Sequence, residues 1–241
     1  MVTDETERGL RDLKLTGMAE CWSSLEELHK LDRITAREGV ALLLQAERDR
    51  RETNRISKLT TAAGFKMKAS LEGLETGAER GIPDDLIARL GTGNYIRDGT
   101  TVIITGATGT GKTYLANALG DRACRQGHKV MYSTLERLLD KARLARIEGK
   151  EMKFFDKMKR IDLMILDDWG LKKIEGQQMM DLEQILDDRY GVKSLIISSQ
   201  LPVSEWHALF SNELIADACL DRVVHRSVRF ALIGESMRKK Y

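Results

Sequence analysis

Gly106-Ala107-Thr108-Gly109-Thr110-Gly111-Lys112-Thr113 follows the apolar stretch Thr101–Thr105 and opens a helical pattern. Strand, glycine-rich turn and helix in that order make a phosphate-binding loop. Gly106 and Gly111 let the backbone turn tightly enough for its N–H groups to surround an anion, and the following helix aims its N-terminal dipole at the same charge. The stretch predicts a nucleoside triphosphate held by residues Gly106 through Thr113 and the adjoining Tyr114. Lys112 is expected to reach the β and γ phosphates, and the Thr113 hydroxyl to ligate Mg²⁺. The bland alternative is a strand-to-helix turn with no ligand.

A phosphate loop alone does not separate ATPases, GTPases and small-molecule kinases. Leu163-Met164-Ile165-Leu166-Asp167-Asp168 narrows the choice. Four apolar residues predict a strand buried on both faces, with two acids at its C-terminal end, where parallel sheets place their ligands. Asp167 suits the Mg²⁺ shell and Asp168 suits activation of the attacking water. An Asp pair after an apolar run also serves to cap a helix, but one bound Mg²⁺·ATP needs both the loop and the acids. The Asn/Thr-Lys-x-Asp loop that reads guanine is absent, which disfavours GTP.

Outward from these stretches, apolar strands recur at Thr101–Thr105, Lys129–Tyr132, Asp162–Leu166, Ser194–Ser198 and Ser227–Ile233, alternating with helical patterns. The alternation predicts an α/β fold with a five-stranded parallel sheet between helices. Ser133, followed three residues later by Glu136, reads as a capping box. Gly191 reads as the C-terminal cap of a helix over Glu175–Tyr190. Residues 1–65 differ: Leu25, Leu28 and Leu31 form one stripe and Val40, Leu43 and Leu44 another, predicting a small all-α domain of about three helices. Its last helix carries Arg48, Arg50, Arg51, Arg55 and Lys58, either a solvated face or a docking or DNA-contacting surface. Scattered glycines and Pro83 make residues 66–95 a linker and approach to the nucleotide site, leaving 96–241 for the ATPase core.

The 241 residues suffice for one full α/β domain and a smaller module. Charged residues make up 32%, no apolar run approaches a membrane span, and the N-terminus begins with acids rather than a basic apolar leader. These features predict a cytoplasmic protein with no membrane partner. Cys21, Cys124 and Cys219 lack any Cys-x-x-Cys spacing and read as reduced packing residues. The four His residues have no ligand spacing, which disfavours a structural zinc.

Three further sets of residues are candidates. Gln200, at the end of the fourth strand, either senses the γ-phosphate and positions water or is a polar strand end. Arg222 precedes the last strand and is either an arginine finger for a neighbour's nucleotide or a surface ion-pair partner. A net charge of +2 does not predict nucleic acid, yet Lys141, Arg143, Arg146, Lys150 and Lys153, continuing through Lys157, Lys159 and Arg160, form a basic run. Arg226, Arg229, Arg238, Lys239 and Lys240 make the tail basic too. The run suits duplex phosphate contacts or an ordinary solvated helix face. Few aromatics interleave it, which disfavours stacking on single strands.

Blocks of sequence along the whole chain carry a resemblance. They are Leu15-Thr16-Gly17-Met18-Ala19-Glu20, the phosphate loop, Leu166-Asp167-Asp168-Trp169-Gly170-Leu171, Leu186-Asp187-Asp188-Arg189-Tyr190-Gly191, Ser199-Gln200-Leu201-Pro202-Val203 with Trp206-His207, Asp221-Arg222-Val223-Val224-His225, and Gly234-Glu235-Ser236-Met237-Arg238. Together they resemble the IstB-like transposition helper ATPases, AAA+ proteins related to the DnaC-type helicase loaders. The resemblance implies an AAA+ core that hydrolyses ATP to ADP and phosphate with DNA stimulation. It also implies ATP-dependent self-association on duplex DNA and partnership with a cognate transposase in target selection and transposition. The chain ends soon after its last strand, so a lidless core is expected, with the nucleotide completed by a neighbouring subunit. Asp168 stands where many AAA+ proteins carry Glu, a side chain longer by one methylene, which bears on hydrolysis rate rather than binding. The rival readings are a DnaC-like replicative helicase loader, a P-loop small-molecule kinase and a nucleotide-gated DNA-binding module without turnover.

Overall fold

The computed structural model describes residues 2–237; Arg238, Lys239 and Lys240 of the basic tail lie outside them. The chain divides into two compact units, Met1–Lys58 and Leu59–Tyr241. No helix among the described residues is long and apolar enough to cross a membrane.

The first unit holds α1 (Val2–Asp12), α2 (Thr16–Glu27) and most of α3 (Ala36–Ala63). Gly17 lets α2 and α3 touch: a Cβ there would lie 2.6 Å from the Ala46 carbonyl oxygen and 2.7 Å from the Glu47 Cα. The residue before α2 is Leu15, which has no capping side chain. Glu47 supplies the cap from α3, its Oε2 accepting from the amides of Gly17 (2.8 Å) and Met18 (3.3 Å). Burial works against ionisation of Glu47, but the Arg51 guanidinium and those two amides outweigh it and hold the carboxyl below its ordinary range. The expected leucine stripes are only partly buried: Leu25 is inside, whereas Leu28, Val40 and Leu44 are exposed. Of the five cations on α3, Arg50 pairs with Glu20, Arg51 with Glu47 and Arg55 with Glu52.

The second unit is a sheet of β1 (Thr101–Gly106), β2 (Val130–Thr134), β3 (Leu163–Trp169), β4 (Ser194–Ser199) and β5 (Ser227–Leu232). The order is β2-β3-β4-β1-β5, parallel throughout. Alternation along the strands sorts the core into two layers. Val102, Ile104, Leu163, Ile165 and Ile196 meet α4 (Asp84–Gly91), α5 (Asn94–Arg97), α6 (Lys112–Arg125) and the last turns of α3. Ile103, Met164, Leu166, Leu195 and Ile197 meet α7 (Leu135–Ile147), α8 (Glu151–Lys159), α9 (Gln177–Arg189) and α10 (Glu213–Val224). Burial pushes the thiols of Cys124 and Cys219 up to about 11 and about 12, as befits packing residues.

Two local expectations are corrected. The cap of α7 is Thr134, whose Oγ1 accepts from the Arg137 amide, while the Ser133 hydroxyl turns to the Thr134 carbonyl. The third strand does not stop before its acids but runs through Trp169, because that ring is buried against Trp206 at 5.3 Å between centroids. Arg189, within the Leu186–Gly191 block that carries the resemblance, is 1% exposed. Its guanidinium donates to the carbonyls of Met158, Ile161, Asp162 and Ser194, tying α8 to the starts of β3 and β4. Burial lowers its pKa to about 10.

Candidate nucleotide-binding site

Parallel strands that all end at one edge of the sheet leave their following loops around a common space. Here that space is a cavity of about 480 Å³. It is lined by Thr108, Gly109, Gly111, Lys112, Thr113 and Tyr114 of the loop after β1, by Asp167 and Asp168 of β3, and by Gln200 after β4. Gly106, Ala107 and Thr110 do not line it and instead hold the loop. Lys112 Nζ donates to the carbonyls of Gly106 (2.7 Å) and Ala107 (2.8 Å), and the Thr110 hydroxyl donates to Ala107 (2.9 Å). Gly109 and Gly111 have φ of +87° and +101°, conformations that side chains rarely adopt.

The acids are shaped by a bulge. Between β3 and β4 the register advances from Leu166↔Ile197 to Trp169↔Ser199, so β3 carries one extra residue. Asp168 absorbs it with φ +58°, a conformation uncommon outside glycine and concentrated at functional sites. Asp167 Oδ2 accepts from the Thr113 hydroxyl (2.9 Å) and from the Tyr132 hydroxyl (2.6 Å). Burial and this bond to Asp167 push the Tyr132 phenol up, so it remains a donor. Lys66 Nζ lies 4.0 Å from Asp168. Gln200 accepts from the Thr108 hydroxyl at 2.8 Å. The turn presenting Gln200 is set by Ser199, whose Oγ donates to the Trp169 carbonyl and accepts from the Leu201 amide.

Sequence reasoning missed Tyr132, which was visible only as one residue of a strand end. It also missed the wall formed by Lys66, Met67, Gly73, Leu74, Glu75, Arg80 and Ile82, within the stretch taken as an approach. The remaining candidates are elsewhere. Arg222, on the last turn of α10, donates to Asp187 from Nε (2.9 Å) and Nη2 (2.7 Å), with Glu183 at 3.6 Å. With Arg189 and Arg226 it lines a small cleft at the starts of β1 and β4, the opposite edge of the sheet from the phosphate loop. The basic run lies on α7 and α8 and is partly neutralised. Arg143 pairs with Asp140, Lys150 with Glu148, and Arg146 with both Glu151 and Asp181. Lys141 and Lys153 are exposed with no ion pair among the described residues.

The chain matches the family model described as IstB-like ATP binding protein over residues 8–241. It is 38% identical over 239 residues to an insertion sequence ATP-binding protein of Sinorhizobium fredii (strain NBRC 101917 / NGR234), covering 99% of this chain and 98% of that protein. The ATP-binding protein of insertion sequence IS1162 from Pseudomonas fluorescens is 38% identical over 205 residues, 85% of this chain and 89% of that one. Among solved structures, the DnaC helicase loader superposes with a TM-score of 0.57 at 19% identity, over 68% of this chain and 97% of that chain. AMPPCP-bound DnaA from Aquifex aeolicus gives 0.58 at 21% identity, over 73% and 54%. At such identities the structures establish the fold alone, which is that of the AAA+ ATPases.

Proposed function

Because this chain belongs to the family of IstB-like ATP-binding proteins, we propose that it is an ATPase that assembles on duplex DNA and assists an insertion-sequence transposase in target selection and transposition. The observation that carries the reading is the convergence in one cavity of the phosphate loop, the hydrogen-bonded Thr113 and Asp167, and the re-aimed Asp168. A hydroxyl and a carboxylate are hard oxygen donors suited to Mg²⁺, so Thr113 and Asp167 would hold it. When bound, it supplies neutralisation of phosphate charge.

The chain's own groups do the rest. The loop amides and Lys112 bind the β and γ phosphates, Lys112 exchanging its carbonyl partners for the stronger charged acceptors. Asp168 accepts a proton from the attacking water and fixes its direction. Gln200, held by the Thr108 hydroxyl, lines the same cavity and contacts the γ-phosphate or that water. Arg222 lies at the opposite edge of the sheet from its own cavity, so as a finger it serves a second copy's nucleotide. Asp187 and Glu183 hold it in the isolated chain. The insertion-sequence relatives support the transposition role, and the exposed cations of α7 and α8 support contact with DNA phosphates.

Electron microscopy of the protein with duplex DNA and ATP, ADP or no nucleotide tests this. ATP-dependent assemblies on duplex, trapped by Asp168→Asn with turnover reduced about 100-fold or more, are expected. Assembly on single-stranded DNA only would move the reading to a helicase loader. Metabolite phosphorylation without assembly would move it to a kinase.

A further inference from the structure

The segment before β1 does more than lead into the sheet. Gly77 and Ile82 exchange backbone hydrogen bonds of 2.9 and 3.0 Å around a short 3-10 turn, Ala78–Arg80. Ile82 is buried at 1% exposure. Gly81 has φ +72° and is pressed on β5, where a Cβ would overlap the Ala231 carbonyl oxygen. The Ile233 amide donates to the Arg80 carbonyl at 3.0 Å. The backbone of Arg80 is thereby pinned to the end of β5, which neighbours β1 and pairs Gly106 with Leu232.

From that anchor the guanidinium lies against the phosphate loop. Nη1 donates to the Glu75 carbonyl (2.7 Å) and carboxylate (3.1 Å). Nη2 reaches the Thr110 carbonyl at 3.5 Å, the outer limit of a hydrogen bond, and lies 3.8 Å from where a Cβ on Gly111 would stand. The side chain is 19% exposed and lines the cavity. Glu75 orients one half of the fork while the other half, among the described residues, meets a weak acceptor in the phosphate loop. A guanidinium is charged at every working pH and matches phosphate oxygens in a fixed fork.

We infer that Arg80 is a nucleotide-binding residue that contacts the polyphosphate in cis, with Glu75 orienting it. The inference rests on the ATP-binding reading of the cavity. It also makes the docking of segment 75–82 on β5 part of the nucleotide site.

Calorimetric titration of the full chain with ADP and AMPPNP, for wild type, Arg80→Met and Arg80→Lys, tests it. Arg80→Met keeps much of the apolar stem and is expected to weaken both nucleotides about tenfold or more, with the melting temperature of the nucleotide-free protein unchanged. Arg80→Lys restores a cation and recovers part of the loss. Wild-type affinity in Arg80→Met overturns the inference. So does a loss that comes with a lowered nucleotide-free melting temperature and no recovery in Arg80→Lys, since that marks a purely structural role. If neither nucleotide binds the wild type, the reading of the cavity itself has failed, a result separable from failure at Arg80 alone.

Discussion

The two edges of the sheet carry similar chemistry to opposite ends. Where the strands finish, Lys112, Arg80, Asp167, Asp168 and Gln200 surround about 480 Å³ of open space. Where they begin, Arg189, Lys193 and Arg222 surround about 10 Å³, and their partners are protein: four carbonyls for Arg189, Asp162 for Lys193 at 2.5 Å, Asp187 for Arg222. Charge at a strand end is therefore no mark of a ligand site. What separates the edges is room, together with the phosphate loop at one and, at the other, protein carbonyls and carboxylates that already occupy the cations.

Two substitutions of a cation break the comparison most directly. Lys112→Ala is expected to weaken ATP roughly 100- to 1000-fold, about 3–4 kcal/mol for a charge-assisted phosphate contact, with little change in melting temperature. Nucleotide affinity within threefold of wild type in a fluorescence titration refutes the assignment. Arg189→Met should do the reverse. It removes a donor shared by four carbonyls, of which Met158 and Asp162 keep a backbone amide, and costs roughly 3 kcal/mol, lowering the melting temperature by about 6–12 °C, while the folded fraction keeps its affinity for ATP. If Arg189→Met melts normally, the amino edge is not held together by that guanidinium.

A smaller effect concerns the first unit. Folding lowers the Glu47 pKa, so its contribution is present above the unfolded carboxyl pKa and is lost as pH falls through the folded value. Glu47→Gln should cost about 1 kcal/mol, the size of a helix cap, and should flatten the acid-side loss of protection. Amide exchange at Gly17 and Met18 measures both, and protection in wild type that stays unchanged as pH falls from about 5 to about 2 sinks the cap.

The strand series and the phosphate loop were legible because short continuous apolar runs, buried on both faces, and a glycine turn are written locally. Asp167 was legible for the same reason. Asp168 was legible as an acid but not in its conformation, since the bulge comes from the pull of Trp169 into the core, a contact with Trp206 made across the fold. Tyr132 and Arg80 were invisible as site residues because each reaches the cavity through long-range packing, one across the β2–β3 pairing and one through the docking of Gly81 on β5. Arg146 read as one of a row of cations, while its partner Asp181 stands on another helix.

That last residue sets the finest test. Counting the basic run on α7 and α8 as uniform predicts that any of its members lowers the salt dependence of DNA affinity equally. The structure divides them: Arg146 is bonded to Asp181, whose side chain is 3% exposed, whereas Lys141 and Lys153 are exposed. Removing Arg146 takes the cation from a buried carboxylate, leaving it the Gln177 side-chain amide as donor, and should lower stability by about 1–3 kcal/mol. The double substitution Lys141→Ala/Lys153→Ala should leave stability within about 0.5 kcal/mol and reduce the log–log salt slope by about two, roughly one for each lost phosphate contact. Titrations of duplex DNA at several salt concentrations, in the presence of ATP, read the slope directly. A slope equal to wild type would mean that α7 and α8 present an ordinary solvated face, and would turn attention to Arg48 and Lys58 of α3.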